Sequence, residues 1–398
     1  MVLAIAFILA LVVSVVITPL AIRAAWATGY LDRPEARKLH TAATALLGGA
    51  VVFVSALVAI AAARALRPGL WGRDTLFLLG GAVVAIGLGL WDDRFGMRPP
   101  GKLAGQAAAA AVFLASGSIP NLGLPPVGNA TVTLVAMVAL MNAVNFLDNM
   151  NGVVSGLSAI ILAAFAWTSI ARGAAGVATA QLAVAGACVG FLCYNFPRAR
   201  VFLGDAGSIF LGYILGASAV LAFQGASPGW GRLGTLLLLG YPAFDLCFVV
   251  VNRLREGRKV YEGGQDHTNH RLASVIRCQT RTVLLLWASG VALCASGLTV
   301  LYLNRPLPTL LLSAVWMILL SWAGVRLSRV PVRSSAPLLP SDLPHGASPT
   351  PTTNGSASSS PSWRAVWSTT PRTSRSTSSP PGQTPASSSG STPTTSDT

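Results

Sequence analysis

Apolar runs as long as a membrane-crossing helix recur along most of this chain, and no other feature of the sequence limits its fold so strongly. They lie near 1–22, 46–66, 75–91, 103–118, 131–147, 153–171, 176–194, 207–225, 233–251, 282–302 and 308–328. Each approaches the ~20 residues that a helix needs to cross the hydrocarbon core. In lipid the backbone must satisfy its own hydrogen bonds, so isolated runs of this kind become helices. The sequence therefore predicts an all-α, polytopic membrane helix bundle of about eleven transmembrane helices. Only 10% of the 398 residues are charged, where a soluble domain carries about 25%. The first run has no charged segment before it and no small-residue cleavage site after it, which predicts a retained helix rather than a cleaved signal peptide. The membrane domain is expected to span 1–330. Residues 331–398, rich in Ser, Thr and Pro, cannot bury enough apolar surface to order themselves and are expected to form a disordered tail.

The formal net charge of +15 would raise the question of nucleic acid in a soluble chain. No basic surface interleaved with aromatics is present, so no nucleic-acid partner is expected. The basic residues instead sort by side. Loops near 23–45, 92–102, 148–152, 195–206 and 252–281 hold sixteen Lys and Arg, and the opposite loops hold six. The positive-inside rule makes the richer face cytoplasmic, with the N-terminus outside and the tail cytoplasmic, in a cell inner membrane. The carboxylates follow the same division, which puts the expected active site at the cytoplasmic face. Cys188, Cys193, Cys247, Cys278 and Cys294 lack metal-ligand pairing and read as small buried hydrophobes.

Five constellations on that face can carry chemistry. Asp92 and Asp93 end the third run ahead of Arg94, Arg98 and Lys102. Adjacent carboxylates repel and favour a cation or proton between them, and Mg²⁺ bridging substrate phosphates is one solution. In NAVNFLDNMNG, Asn142, Asn145 and Asp148 recur at one-turn spacing and form a polar edge on an apolar helix. Polar groups in a membrane default to function, although asparagines also bond helix to helix. In NFPRARVFLGDAGS, Asp205 stands between Gly204 and Gly207, where backbone can approach a ligand. Ser208 follows, and the free N–H groups of a helix start suit a phosphate; a plain N-cap is the alternative. Asp245, in YPAFDL, is a carboxylate inside a span beside Pro242, and pairing with a loop cation explains it better than direct catalysis. In GGQDHTNHRL, His267, His270 and Arg271 fit a diphosphate clamp better than zinc, which would want further Cys or His ligands. The neighbouring Arg253, Arg255, Arg258 and Lys259 read as contacts to anionic lipid headgroups.

Taken in order, these segments resemble the polyprenyl-phosphate N-acetylhexosamine-1-phosphate transferases, also called glycosyltransferase family 4, over roughly residues 1–330. RKLHTAATALLGG, which includes Lys38, resembles the family's first loop, and WDDRFGMRPPGKLAGQ its aspartate pair with the following Lys and Gln. NAVNFLDNMNG, FLGDAGS and DHTNHRL resemble the three later loops. Five ordered matches are far more specific than any one. The resemblance implies transfer of a phospho-N-acetylhexosamine from a UDP-sugar to a polyprenyl phosphate, with release of UMP, in the branch that uses UDP-GlcNAc. It implies Mg²⁺, with Mn²⁺ as a substitute, held by Asp205 and Asp148. Asp92, Asp93 and Asp205 would be catalytic. Lys38, Lys102, Asn142, Asn145, Asp148, Asn151, Asn195, His267, His270 and Arg271 would meet the substrates. Membrane lipids are the surrounding partners, and a homodimer is compatible with the resemblance.

The chain departs from the family pattern in three places. Ala43 and Ala45 stand where prolines are usual, which predicts a looser first loop. Asn151 replaces the second carboxylate of Asp-x-x-Asp-Gly, and Thr268 and Asn269 fill the histidine motif. Two other readings stay open: a lipid-linked-sugar transporter or flippase, and an inactive family member acting as a scaffold. A transporter predicts ionisable groups at the bilayer midplane and paired internal repeats. Here the charges gather at one surface and no repeat is evident.

Overall fold

The computed structural model describes residues 1–32, 43–226, 229–259, 264 and 266–331. Lys38 and the expected tail, apart from Pro331 at its start, lie outside them. The helices in chain order are α1 (Val2–Thr28), α2 (Gly48–Leu66), α3 (Arg73–Phe95), α4 (Pro99–Leu114), α5 (Pro126–Leu147), α6 (Val153–Ala171) and α7 (Ala175–Asn195). They continue with α8 (Gly204–Gly225), α9 (Gly231–Leu238), α10 (Gly240–Arg255), α11 (Thr268–Ile276), α12 (Gln279–Leu303) and α13 (Pro306–Ser328). The chain is an all-α membrane bundle. Among the described residues, nine helices are long and apolar enough to cross a membrane, and α9 and α10, bent by 69° at their junction, pass the same test only as a pair, as a broken span or a re-entrant loop does. The expected run at 103–118 falls on α4, which has 16 residues.

The bend follows from Pro242. Proline has no N–H to give to the carbonyl four residues earlier, that of Leu238, and α9 ends at that residue. Of the helices long enough to cross a membrane, α8 is the most enclosed, with α3 and α5 packed against it.

Close helix packing here relies on small residues, as expected where lipid supplies no hydrophobic drive. Ala6, Ala10, Ser14 and Thr18 form a buried stripe along α1 that faces α7 at Gly186 and Gly190. A Cβ on Gly186 would lie 2.2 Å from the Phe7 carbonyl oxygen, and one on Gly190 2.4 Å from that of Leu11. Gly190→Val should therefore push α1 off α7 and cost about 1–3 kcal/mol, at the upper end because the obstacle is backbone. The check is a lowered thermal midpoint in detergent, with Val189→Leu, a partly buried neighbour, as the control.

A two-stranded antiparallel pair, β1 (Leu31–Asp32) with β2 (Thr44–Ala45), closes the first loop at one end of the bundle. The looseness expected there does not extend to Ala45, which is fully buried and whose carbonyl accepts the Phe202 N–H at 2.8 Å. The Gly48 and Gly49 amides then donate to the carbonyls of Phe202 and Leu203, which joins the first loop to the start of α8. The cysteines divide: Cys188 and Cys294 are buried as expected, Cys278 is half-buried, and Cys193 and Cys247 are exposed.

Candidate active site

Every constellation read from the sequence, where described, comes to the same end of the bundle. The contacts form a chain: Tyr30 to Leu90, Lys102 to Asp205, Asn145 to Asp205, Gly152 to Asn195, Asn149 to Asn269, and Arg271 to the end of α13.

At the centre, the Lys102 ammonium sits 2.8 Å from Asp92 Oδ2 and 2.8 Å from Asp205 Oδ2. Its single positive charge bridges two carboxylates. Asn145 Nδ2 donates to the other oxygen of Asp205 at 2.6 Å and to Ser208 Oγ at 2.8 Å. The local sequence builds this geometry. α3 closes at Gly96 in a positive-φ conformation, its amide bonded to the Asp92 carbonyl, while Asp92 Oδ1 accepts the Met97 N–H at 2.7 Å. Pro99 and Pro100 then start α4, a position where proline costs no hydrogen bond, and bring Lys102 back across Asp92.

Asp93 does something the sequence did not announce. Its carboxylate accepts the backbone N–H of Asp205 at 2.8 Å and of Ala206 at 3.0 Å, so α3 caps α8 from outside. The helix start expected to receive a substrate phosphate already holds this protein's own anion, because both charge and free N–H groups favour one there. The glycines around Asp205 also serve the protein rather than a ligand. Gly204 has φ +73, and a Cβ on it would meet Asp93 Oδ2 at 2.7 Å. Gly49 and Gly89 let α2 and α3 touch the first turn of α8, at Gly207 and Ala206. Asp93→Ala leaves two amides unpaired and should cost about 1.5–3 kcal/mol, read as a lower thermal midpoint together with lost turnover. Asp93→Asn, which keeps one acceptor, should fall between the variant and wild type.

Asp148 lies just past α5, within reach of the charges of Asp205 and Asp93. Desolvation first, then the negative charges of Asp205 and Asp93, push its carboxyl up to about 8. Asn142 pairs with Gln106 across α4 and α5, Nδ2 to Oε1 at 2.7 Å, which is the helix-to-helix role open to it. Asn195 is buried, accepting the Gly152 N–H at 2.7 Å and donating to the Val201 carbonyl. It shapes the α5–α6 turn. Among the described residues, Asn151 reaches only the Pro197 carbonyl, at 3.4 Å. Trp287, absent from the sequence reading, holds this turn through a bond to the Gly152 carbonyl and ring contact with Phe196.

The histidine segment is only partly the cationic clamp expected. Arg271 is buried: Nε donates to the Asp266 carbonyl, and Nη1 to the carbonyls of Leu327, Ser328 and Val330. Its guanidinium binds the end of α13. His270 is held neutral, its pKa lowered to about 4 by desolvation and the neighbouring His267. Arg253 differs most from its expected contact with lipid headgroups. It is 1% exposed and grips Asp266 with two bonds, at 2.7 and 2.8 Å. Desolvation raises the Asp266 carboxyl, but the bonds and charge of Arg253 carry it down to about 2. A buried carboxylate needs such a partner.

No group of three His, Cys, Asp or Glu at metal-ligand spacing occurs among the described residues. Mg²⁺ is usually held by one or two carboxylates, water and substrate phosphates, and the oxygen donors of Asp205, Asp92 and Asp148 suit that mode. Lys102 marks the place where positive charge is already required.

Comparison with known proteins agrees with the geometry. The family model described as glycosyl transferase family 4 matches residues 75–223, the stretch from α3 to α8 that contains the whole carboxylate cluster. A decaprenyl-phosphate N-acetylglucosaminephosphotransferase of Mycobacterium tuberculosis is 30% identical over 323 residues, covering 72% of this chain and 80% of the relative. A probable undecaprenyl-phosphate N-acetylglucosaminyl 1-phosphate transferase of Bacillus subtilis is 27% identical, covering 72% and 81%. A phospho-N-acetylmuramoyl-pentapeptide-transferase of Desulforudis audaxviator is 30% identical, covering 74% and 95%. With the ordered motifs assembled at one end of a multi-pass bundle, and relatives matched over most of their length, this membrane protein belongs to glycosyl transferase family 4.

Proposed function

We propose that the chain transfers N-acetylhexosamine 1-phosphate, most simply GlcNAc 1-phosphate, from a UDP-sugar to undecaprenyl or another polyprenyl phosphate and releases UMP. The observation that carries this reading is the Asp92–Lys102–Asp205–Asn145 constellation, set where the polar loops converge. The lipid phosphate oxygen attacks the sugar-linked phosphorus, and the bond from that phosphorus to the UMP oxygen breaks. Such a transfer needs positioning and charge neutralisation more than covalent help from the protein. Lys102 can turn from the two carboxylates to an incoming phosphate. Asp92, relieved of its partner, is then the acceptor for a proton on the lipid phosphate. Asp205 and Asp148 would hold Mg²⁺, which supplies charge neutralisation on the donor diphosphate. Asn145 keeps Asp205 oriented, and His267 and His270 offer ring nitrogens to the donor.

The test is UMP release by purified protein given undecaprenyl phosphate, Mg²⁺ and a panel of UDP-sugars. UDP-GlcNAc is expected to be the best donor. Because one relative is named for a muramoyl-pentapeptide donor, UDP-MurNAc-pentapeptide belongs in the panel, and turnover with it alone would overturn the choice of sugar. No UMP from any donor would sink the enzymatic reading in favour of a scaffold.

The site faces the cytoplasm in this proposal, where UDP-sugars are made, with the N-terminus outside. Lys259→Cys in a cysteine-free background should react with an impermeant maleimide only after the membrane is opened. Reaction in intact cells would reverse the topology.

A further inference from the structure

We propose that Asp245 is a positioning residue of the donor site, which fixes both the orientation of the His267 ring and the nitrogen that carries its proton. Asp245 lies on α10, is 0% exposed, and uses both carboxylate oxygens. Oδ2 lies 2.8 Å from His267 Nδ1. Oδ1 accepts the Thr268 backbone N–H at 2.8 Å and the Thr268 hydroxyl at 2.5 Å. Tyr241, one turn earlier, places its hydroxyl 3.0 Å from the same Thr268 oxygen. An ionised carboxylate only accepts hydrogen bonds, so Nδ1 is the protonated nitrogen and Nε2 is the one left for another partner. His267 is 4% exposed, yet among the described residues no hydrogen bond reaches Nε2.

The ring stands against the end of α5 that leads to Asp148. Its centroid is 6.1 Å from that of Phe146, the residue after Asn145, and Asn269 ties the same segment to Asn149 at 2.6 Å. A buried carboxylate that locks one imidazole nitrogen while the other stays unpaired is the arrangement that orients a histidine toward a reactant. The competing account is purely architectural: Asp245 caps the first N–H of α11 in the way that Asp93 caps α8. Both accounts explain the Thr268 bonds. The Nδ1 bond and the unpaired Nε2 belong to the first.

The inference rests on His267 serving the UDP-sugar, so the experiment separates the two claims. Steady-state UMP release is measured for wild type, Asp245→Asn, His267→Gln and the double variant. Partners that orient a metal-binding histidine are worth about 10–100-fold when lost, and that scale is carried over to His267. Asp245→Asn should raise KM for the UDP-sugar by about tenfold at the low end of that range, with a smaller change in kcat. In the His267→Gln background the same substitution should change neither constant further. If it costs as much there as in wild type, Asp245 is only a cap and the proposal falls. If His267→Gln alone behaves as wild type, the donor-site reading of His267 fails first and takes the proposal with it. Should Asp245→Asn not accumulate in membranes, Asp245→Glu replaces it. Its longer reach displaces the ring, and the same cancellation against His267→Gln is expected.

Discussion

Asp205→Asn is expected to insert into the membrane, fold, and lose turnover by about 10²–10³-fold, as for removal of one charged group that stabilises a transition state. The fold should survive because Asp205 contributes its backbone N–H, not its side chain, to the cap from Asp93. An amide at this position can still face Asn145 and Lys102, but it carries no charge to offset a divalent cation or to hold the ammonium. The measurement is UMP release at saturating UDP-GlcNAc across a Mg²⁺ titration, with thermal stability recorded in parallel. Turnover near wild type at ordinary Mg²⁺ would remove Asp205 from the centre of the site.

Lys102→Met should have an effect of similar size for the opposite reason. Methionine keeps much of the length and the apolar stem but deletes the ammonium that lies 2.8 Å from both Asp92 and Asp205. Two carboxylates left side by side hold a shared proton in place of the lysine. The phosphate then loses its cation, and Asp92 is occupied by the proton it should accept. A fall of about 10²–10³-fold in kcat/KM is expected. Lys102→Arg should recover only part of it, because a planar fork cannot replace a point charge between two carboxylates. Full recovery by arginine would mean that net charge, not this bridging geometry, is what the site needs.

The bundle was legible in the sequence because a run of about twenty apolar residues in lipid has only one way to satisfy its backbone. The break between α9 and α10 was half legible: Pro242 announced a disturbance, and its effect falls one turn earlier, at the carbonyl it cannot serve. α11 was hidden inside what reads as a loop, being nine residues long and opening on four polar residues, Thr268 to Arg271. In the site, residue types were legible and partners were not. Asp92, Asp93 and Asp205 stood out as carboxylates at one surface, but no spacing rule says that Asp93 caps the helix of Asp205. Arg271 and Arg253 read as cations for ligands or lipids because burial cannot be seen in one dimension. Gln106 carried a signal, one turn after Lys102 on the same helix, as did Ser208. Tyr30 and Trp287 carried none, since their bonds to Leu90 and Gly152 join backbone carbonyls far away in the chain.

The bond from Asp93 to the start of α8 spans 112 residues of sequence, and this has a consequence for biosynthesis. At typical translation speeds of about 5–20 residues per second, the carboxylate on α3 exists for roughly 6–22 s before the amides that it holds have been made. During that interval α3, α4, α5 and the turn after α5 carry Asp92, Asp93, Lys102, Asn145 and Asp148 without the helix that organises them. A ribosome stalled before residue 205 would leave a membrane-inserted fragment whose polar end has no cap to form, and such unpaired groups are what quality-control proteases find. The carboxylate cluster is completed only when the α8 start emerges.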